Sequence, residues 1–291
     1  MKRIDLGSMG ESVNPDSLGW ADLKLPLKWF DVVKVLRPNG KPTQLQAIAL
    51  GVFRILKSRR NLIISAPTNT GKSLLGYAVL LESVLRGRRA LLLEPYRALA
   101  QEKFDELERV LPQLREILGQ TIAVTITTGD YRLDEGTMNA PPPEGGEIVV
   151  ATPERIEAIL RNPDYSPWCD SFGAVCADEA HLLSSLRRGP TLEYVLTSFL
   201  LHRAPPRIVL LSATVGDTSA ADDWLEPCDI VATCVRHPPL ERTVLSLDDS
   251  DDAGRELAGL CHELLSKPGN SVLNFGLSNN LRFQIGPSIV E

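Results

Sequence analysis

Residues 61–76 constrain the fold more than any other part of this 291-residue chain. Residues 62–65 are typical of a short buried strand and residues 66–70 of a loop, and Gly71-Lys72-Ser73 opens a segment with apolar side chains at helical spacing. A strand, a loop, Gly-Lys-Ser and a helix in this order are typical of a phosphate-binding loop. The tripeptide alone carries little weight, but an ordinary turn does not explain the strand before it and the helix after it.

The chemistry of such a loop predicts a site for a nucleoside triphosphate. Successive backbone N–H groups can cradle an anion, and the helix N-terminus adds partial positive charge. The Lys72 ammonium can reach the β- and γ-phosphates and the Ser73 hydroxyl can ligate Mg²⁺, so a nucleoside triphosphate and Mg²⁺ are the predicted ligands. The predicted contacts in this stretch are Ala66, Thr68, Thr70, Gly71, Lys72 and Ser73. Ala66 stands where the usual pattern has its first glycine, which leaves Gly71 for the close backbone approach.

Composition excludes several classes of protein. The chain is 43% hydrophobic and 23% charged, as in ordinary globular domains. No apolar run approaches the roughly 18 residues that cross a bilayer, and no apolar block follows the first basic residues as in a secretory signal. The five cysteines include no Cys-x-x-Cys pair, which favours a reduced cytoplasmic protein without a zinc site. A net charge of −6 argues against a general basic coat but leaves room for a local basic groove.

Strand-like and helix-like segments alternate after the loop. The predicted strands are residues 90–93, 122–127, 148–151, 174–177 and 208–211, and the predicted helices between them are residues 96–111, 153–160 and 191–201. These strands are apolar on consecutive residues, as in strands that are covered on both faces. The alternation predicts an α/β domain with a mostly parallel sheet and helices on both faces, whose ligands lie at the carboxyl ends of the strands.

Breaks in the pattern divide the chain into three parts. Residues 1–40 are a predicted N-terminal lead-in, and residues 41–235 are the predicted nucleotide-binding domain. A predicted helix begins this domain at residues 41–50, with Leu45, Ile48, Ala49 and Val52 on one face. From about residue 236 a proline-rich break and an acidic run precede a predicted helix at residues 253–265 and a strand at 271–275. We expect residues 236–291 to be a linker and the incomplete start of a second domain, because too few residues follow to build one.

Two acids follow the predicted strand at residues 174–177, in the order Asp178-Glu179-Ala180-His181. In a phosphate-loop protein an acid at this place holds Mg²⁺, which is the role predicted for Asp178. Glu179 can accept a proton from an attacking water, as general base catalysis requires. His181 is suited to sensing the γ-phosphate. Acids often cap strand ends without further function, but their position after a phosphate loop in an alternating α/β pattern favours catalysis.

Together, residues 66–73 and the Asp-Glu-Ala-His box resemble the motifs of superfamily 2 helicases. Residues 94–103 are similar to motif Ia of that family, residues 128–131 and 151–155 to the Ib region, and residues 212–216 to motif III. The Thr-Gly-Asp block, Arg-Gly-Pro-Thr-Leu-Glu after the acidic box, and Ser-Ala-Thr-Val-Gly resemble the Ski-like branch. That branch includes DNA-repair helicases and exosome-associated RNA helicases. The resemblance implies a RecA-like fold, ATP hydrolysis and movement along a nucleic acid in the 3′ to 5′ direction.

The resemblance also implies roles for individual residues. Gln44 occupies the position of the glutamine that reads adenine, with Gln46 as a competing candidate. Ser212 and Thr214 would couple hydrolysis to movement. Arg187 and Arg188 either touch a strand or pair with an acid such as Glu193, and the sequence does not choose between the two. The residues expected to contact the backbone of single-stranded or forked DNA or RNA are Arg97, Thr128, Thr152 and Arg155.

Motors of superfamily 2 use a second RecA-like domain, whose arginines stabilise the transition state and can be worth roughly a thousandfold in rate. No such arginine motif follows residue 276 here. We therefore expect this chain to bind ATP and Mg²⁺, to hydrolyse ATP slowly, and to need a polypeptide that supplies the second motor domain. The alternative is a regulatory module that binds nucleotide and a partner without productive unwinding. A phosphate-loop kinase or GTPase is disfavoured, because it has no evident use for the Asp-Glu-Ala-His and Ser-Ala-Thr blocks.

Overall fold

The structure, a computed structural model, describes residues 2–5, 19–37, 40–52, 54–129, 141–213, 224–234 and 259. The chain divides into two units, residues 1–240 and 241–291, and every element below belongs to the first. Apart from Gly259, the helix and strand predicted for the start of a second domain lie outside the described residues. The division into three parts, and the predicted second domain, remain predictions.

A parallel sheet forms the centre of the first unit. Eight strands are described, in the spatial order β1-β8-β2-β7-β6-β3-β5-β4, and every neighbouring pair is parallel. Their bounds are β1 Lys2–Asp5, β2 Asn61–Ser65, β3 Arg89–Leu93, β4 Ala123–Thr127, β5 Glu147–Ala151, β6 Phe172–Ala177, β7 Arg207–Ser212 and β8 Cys228–Ala232. The predicted α/β class and parallel sheet are confirmed. The expected RecA-like arrangement follows, with helices between β1 and β2, β2 and β3, β3 and β4, β5 and β6, and β6 and β7.

Helices cover both faces of the sheet. They are α1 Leu27–Leu36, α2 Gln44–Ala47, α3 Lys72–Val84, α4 Arg97–Leu118, α5 Pro153–Leu160, α6 Ser166–Asp170 and α7 Gly189–Leu200. The side chains of β2 show the division, because Leu62 and Ile64 join the core beneath α1 to α4, whereas Ile63 joins the core beneath α5 to α7. Strands with apolar residues on both faces bury a core on each side, which explains their unbroken apolar runs. Within the described residues, no helix is long and apolar enough to span a membrane.

Polar side chains fix the amino-terminal ends of the strands. Asn61, at the start of β2, donates from Nδ2 to the Leu225 carbonyl at 2.7 Å and accepts at Oδ1 from the Ile208 N–H at 2.8 Å. Arg89 of β3 and Glu147 of β5 form a buried ion pair at 2.7 Å. Because these groups are buried and mutually satisfied, they hold the register of neighbouring strands. The predicted motifs lie at the carboxyl ends of the strands, the edge at which parallel α/β sheets bind ligands.

Two elements differ from the sequence-based prediction. Helix α4 continues past the predicted end at residue 111 through Pro112 to Leu118, because Leu114 and Leu118 extend the buried stripe of Leu107 and Leu111. The helix predicted at residues 41–50 is the short α2 followed by a π-helical turn, Ile48–Val52. The wider turn changes the helical phase, so Leu50 is buried and Val52, predicted on the inner face, is 56% exposed.

Candidate functional site

The phosphate loop and the acidic box lie at the same edge of the sheet. The loop follows β2 and the box follows β6, with only β7 between these two strands. Neighbouring strands lie about 4.8 Å apart, so the two motifs begin roughly 10 Å from each other. Ser212, the last residue of β7, lies between them and accepts a hydrogen bond from the Ala66 N–H at its carbonyl, at 3.0 Å. The topology therefore brings together motifs that are distant in the sequence.

Lys72 is the first residue of α3 and is only 9% exposed. Its Nζ donates to the carbonyl oxygens of Ala66 at 2.6 Å and Pro67 at 2.8 Å, which hold the ammonium within the loop. Burial lowers the pKa of Lys72, and the charges of Asp178 and Glu179 act in the opposite direction. Because both carboxylates act on this ammonium, the lysine and the acids face the same space.

Gly71 is a position where only glycine fits. Its φ of +84° is in the left-handed region, and a Cβ there would lie 2.1 Å from Gln46 Nε2. Thr70 braces the loop from inside, since its hydroxyl donates to the Pro67 carbonyl at 2.8 Å and its own carbonyl accepts from the Thr43 hydroxyl at 2.7 Å. Thr68 is exposed at the loop tip, and Ala66 is fully buried. Among the predicted contacts, Thr68 therefore faces solvent while Ala66 and Thr70 support the backbone.

Of the two glutamine candidates, Gln46 is the one that contacts the phosphate loop. It is fully buried, its Nε2 donates to the Gly71 carbonyl at 3.0 Å, and its Oε1 accepts from the Thr43 N–H at 3.0 Å. The Gln46 N–H in turn donates a capping bond to the Thr43 hydroxyl oxygen at 3.2 Å, which fixes the start of α2. Gln44 is half-buried at the same helix start. Because Gln46 is committed to supporting the loop, Gln44 remains the candidate for reading adenine.

The acidic box leaves β6 through a strained backbone. Glu179 has a left-handed φ of +51°, and its N–H donates to Asp178 Oδ1 at 2.8 Å. Such conformations cost on the order of 1–3 kcal/mol in a residue other than glycine and are often found at functional sites. His181 Nδ1 lies 3.2 Å from Glu179 Oε2, within ion-pair distance although without hydrogen-bond geometry in the described structure. The histidine therefore faces the carboxylate predicted to act as the base.

Asp178 and Ser73, the predicted metal ligands, line one small cavity that Glu94 and Lys103 also line. One carboxylate and one hydroxyl fit Mg²⁺, which keeps several waters and takes substrate phosphates as its remaining ligands. No cluster of three or more His, Cys, Asp or Glu side chains suited to holding a metal occurs within the described residues.

Glu94, at the end of β3, is a buried acid that the sequence did not single out by itself. It is 1% exposed, and its Oε1 is buried and makes no hydrogen bond within the described part of the chain. Burial, reinforced by Asp178, raises its pKa from the ordinary value of 4.5 to about 8, and Lys103 opposes the shift. Near pH 7 the folded protein therefore favours the protonated form of Glu94.

This raised pKa predicts that the wild-type protein loses stability as pH rises. The unfolded chain releases the Glu94 proton above its ordinary pKa, whereas the folded chain retains it up to about pH 8, so the unfolding free energy falls across this window. Between pH 5.5 and 7.5 the loss should be on the order of 2 kcal/mol. Glu94→Gln removes this loss, and urea unfolding without Mg²⁺ or nucleotide measures it. Glu108→Gln is the control, because it makes the same change at a solvent-exposed position of α4. Parallel pH profiles for Glu94→Gln and wild type would refute the prediction.

A second part of the same edge forms a groove of about 640 Å³ at the ends of β3, β4 and β5. Three of the four predicted nucleic-acid contacts line it, namely Arg97, Thr152 and Arg155. Thr128, the fourth, is buried beside Gly129, which does line the groove. Arg155 Nε donates to the Thr127 hydroxyl at 3.2 Å, so its guanidinium is held at the end of β4. The phosphate loop and the acidic box thus occupy one half of the carboxyl edge of the sheet, and the groove occupies the adjacent half.

Arg188 also lines this groove. The sequence did not decide whether this arginine touches a nucleic-acid strand or pairs with an acid. Its Nη1 donates to the Pro95 carbonyl, its guanidinium lies over the Tyr96 ring at 4.1 Å, and Glu154 Oε1 lies 4.0 Å away. The acid that faces Arg188 is therefore Glu154 rather than the suggested Glu193. No sequence signal joins these residues, because they come from the starts of three separate helices, α4, α5 and α7. Thr214, predicted to act with Ser212, lies outside the described residues.

A parallel sheet with a glycine–lysine–serine loop facing an acid pair defines a nucleotide-binding domain of the phosphate-loop class. The chain belongs to the DEAD/DEAH box helicase family, whose model matches residues 41–222, more than half of the chain. This match confirms the resemblance to superfamily 2 helicases that the motifs predicted. Assignment to the Ski-like branch stays a prediction.

Individual relatives agree with the family. The chain is 34% identical over 210 residues to the ATP-dependent DNA helicase Hel308 of Methanocella arvoryzae, covering 71% of this chain and 26% of the relative. It is also 34% identical over 206 residues to Hel308 of Thermococcus kodakarensis, covering 69% of this chain and 16% of that relative. It therefore spans about a quarter or less of these relatives. The crystal structure of the DUF1998 helicase MrfA matches with a TM-score of 0.62 at 18% identity, covering 84% of this chain and 37% of that one, which shows the fold alone.

Proposed function

We propose that this chain is the ATP-binding motor domain of a DNA helicase or translocase, which hydrolyses ATP in response to single-stranded or forked DNA. The observation that carries the proposal is the placement of Lys72 and of the pair Asp178 and Glu179 at one edge of the sheet, after strands that have only β7 between them, and both carboxylates act on the Lys72 ammonium. The adjacent groove, lined by Arg97 and Arg155, supports the proposal that a nucleic-acid strand binds beside that site. DNA is favoured over RNA because the relatives are described as DNA helicases. Movement from 3′ to 5′ rests on the motif resemblance.

The roles of the residues follow from their chemistry. Lys72 would exchange its carbonyl partners for the β- and γ-phosphates, and Gly71 would let the backbone approach them. Ser73 and Asp178 would hold Mg²⁺, which, when bound, neutralises charge on the phosphate oxygens. Glu179 would take the proton of the attacking water, with His181 at 3.2 Å orienting its carboxylate. Gln44 would read adenine, and Ser212 and Thr214 would transmit the state of the site to the groove.

A second motor domain is part of this proposal. The chain spans about a quarter or less of the relatives named above. We propose that full turnover and unwinding need a second motor domain that completes the ATP site. We expect slow hydrolysis by this chain alone and no strand separation. Addition of a second motor domain should raise the rate, because its arginines would stabilise charge in the transition state.

The test is the rate of ATP hydrolysis with and without single-stranded DNA and RNA of equal length. We expect DNA to raise the rate several-fold and RNA to raise it less, because the strand would hold the groove and the acidic box in their active arrangement. Equal stimulation by both would leave the motor assignment but contradict the choice of DNA. A rate that neither strand changes, with ATP still bound, would contradict the motor assignment and favour a nucleotide-binding regulatory module.

A further inference from the structure

Tyr96 presents an aromatic ring in the groove where the other predicted contacts are charged or hydroxylated. It is 47% exposed and is the residue immediately before α4, in extended conformation. Most large apolar side chains of this unit are buried in the two cores, so an exposed ring beside arginines is unusual. Arginines and threonines bind phosphates through charge and hydrogen bonds, whereas a ring offers a π-face that phosphates cannot use.

Arg188 holds this ring in place. Its guanidinium carbon lies 4.1 Å from the ring centroid, and Nη1 donates to the carbonyl of Pro95, the residue before Tyr96. Glu154, 4.0 Å away, faces the same guanidinium from the start of α5. Because an arginine plane covers one face of the ring, the exposed part of Tyr96 is presented to the groove in a fixed orientation. A ring that is ordered before binding loses little conformational entropy when a ligand stacks on it.

The surrounding charges indicate what kind of ligand would use the ring. Arg97, Arg155 and Arg188 line the groove, and among the described residues that line it Glu154 is the one acid. The Arg97 guanidinium lies against Gly129, where a Cβ would come within 2.3 Å of Nη2, so the groove floor is closely packed. A polyanion with flat aromatic groups along it matches both features. Single-stranded nucleic acid has this chemistry, whereas a free phosphate or an acidic peptide lacks the aromatic groups.

We propose that Tyr96, held by Arg188, is a stacking platform for one unpaired nucleobase, so that the groove contacts a base as well as the backbone. This inference rests on the proposed function, because it assigns a further contact to the same strand. Stacking needs a base that is not paired, so the platform favours single strands over duplexes. It is also tolerant of sequence, because every base has a π-face.

The test compares two strands of equal length, one of deoxythymidines and one with abasic sites throughout, by equilibrium binding to the chain. Tyr96→Ala should weaken binding of the base-bearing strand about 5- to 150-fold and leave binding of the abasic strand unchanged. Tyr96→Phe should retain wild-type affinity for both. Tyr194→Ala is the matched control, since Tyr194 is 44% exposed on α7 and does not line the groove. Arg188→Lys, which keeps the charge but loses the planar stack, should lower affinity for the base-bearing strand more than for the abasic one.

Each outcome decides the inference. Unchanged binding of the base-bearing strand by Tyr96→Ala, or an equal loss for both strands, would overturn the platform while leaving the motor assignment intact. A wild-type chain that binds neither strand would overturn the proposed function and the platform with it. Thermal unfolding of each variant identifies a loss of binding that comes from a folding defect, and Arg188→Lys then carries the comparison with the abasic strand.

Discussion

Replacement of Glu179 by glutamine is expected to slow ATP hydrolysis by about 10²- to 10⁴-fold while ATP affinity stays close to that of the wild type. Glutamine has nearly the shape of glutamate but cannot accept the proton of an attacking water. Glu179 contacts no residue of the phosphate loop through a hydrogen bond within the described structure, so binding of the triphosphate does not depend on it directly. The expected result is therefore a loss of kcat with little change in nucleotide Kd.

Single-turnover hydrolysis at saturating ATP and equilibrium binding of a fluorescent ATP analogue separate these two effects. Glu116→Gln is the matched control, because it makes the same change at an exposed position in the carboxyl-terminal half of α4. Equal losses of affinity and hydrolysis would place Glu179 in nucleotide binding instead of proton transfer. Hydrolysis within threefold of the wild type would remove Glu179 from the chemistry altogether.

The parts of this site that the sequence predicted well are those with short-range signals. The phosphate loop is contiguous, so the strand, Gly71 and the start of α3 can be located by pattern alone. Continuous apolar runs identified β2, β3, β5, β6 and β7 because strands covered on both faces need no polar alternation. The proximity of the loop to the acidic box followed from topology, since parallel strands end at the same edge of the sheet.

The prediction missed two strands, β8 and β1, which are stabilised by residues that are distant in the sequence. β8 contains Asp229, which is 5% exposed and forms an ion pair with Arg60 at 2.8 Å. An acid inside a five-residue run argues against a buried strand until its partner is known, and that partner lies 169 positions away. β1, which also carries charged residues, pairs only with β8 and is equally hard to recognise from local pattern.

The same limit applies to the groove. Arg188 could be noticed as basic, but its contacts with Pro95, Tyr96 and Glu154 depend on how the starts of three helices meet. The two glutamines show a finer version of the problem. Gln44 and Gln46 are two positions apart, and only the capping bond of Gln46 to Thr43 assigns one of them to supporting the loop. Sequence pattern identified the motifs, and long-range packing decides which side chain of each motif remains available to a ligand.

Replacement of Lys72 by alanine is expected to weaken ATP binding about 10- to 150-fold, the range for losing a hydrogen bond to a charged group. The loss of hydrolysis should be larger still, because the ammonium also stabilises charge that develops on the transferred phosphoryl group. ADP should be affected less than ATP, since it lacks the γ-phosphate that the lysine reaches. Titration of the chain with ATP and with ADP in the presence of Mg²⁺ measures the two affinities, and single-turnover hydrolysis at saturating ATP measures the loss of rate.

The structure also predicts a cost that must be separated from the loss of binding. Without Lys72, the carbonyl oxygens of Ala66 and Pro67 lose their donor, so the loop itself could loosen. Lys57→Ala, an exposed lysine before the opposite end of β2, controls for removal of one positive charge. If Lys72→Ala binds ATP and ADP with wild-type affinity, the loop does not hold the phosphates. If it loses both nucleotides equally and unfolds at a lower temperature, Lys72 supports the loop instead of reaching the γ-phosphate, because only a direct contact makes the loss larger for ATP.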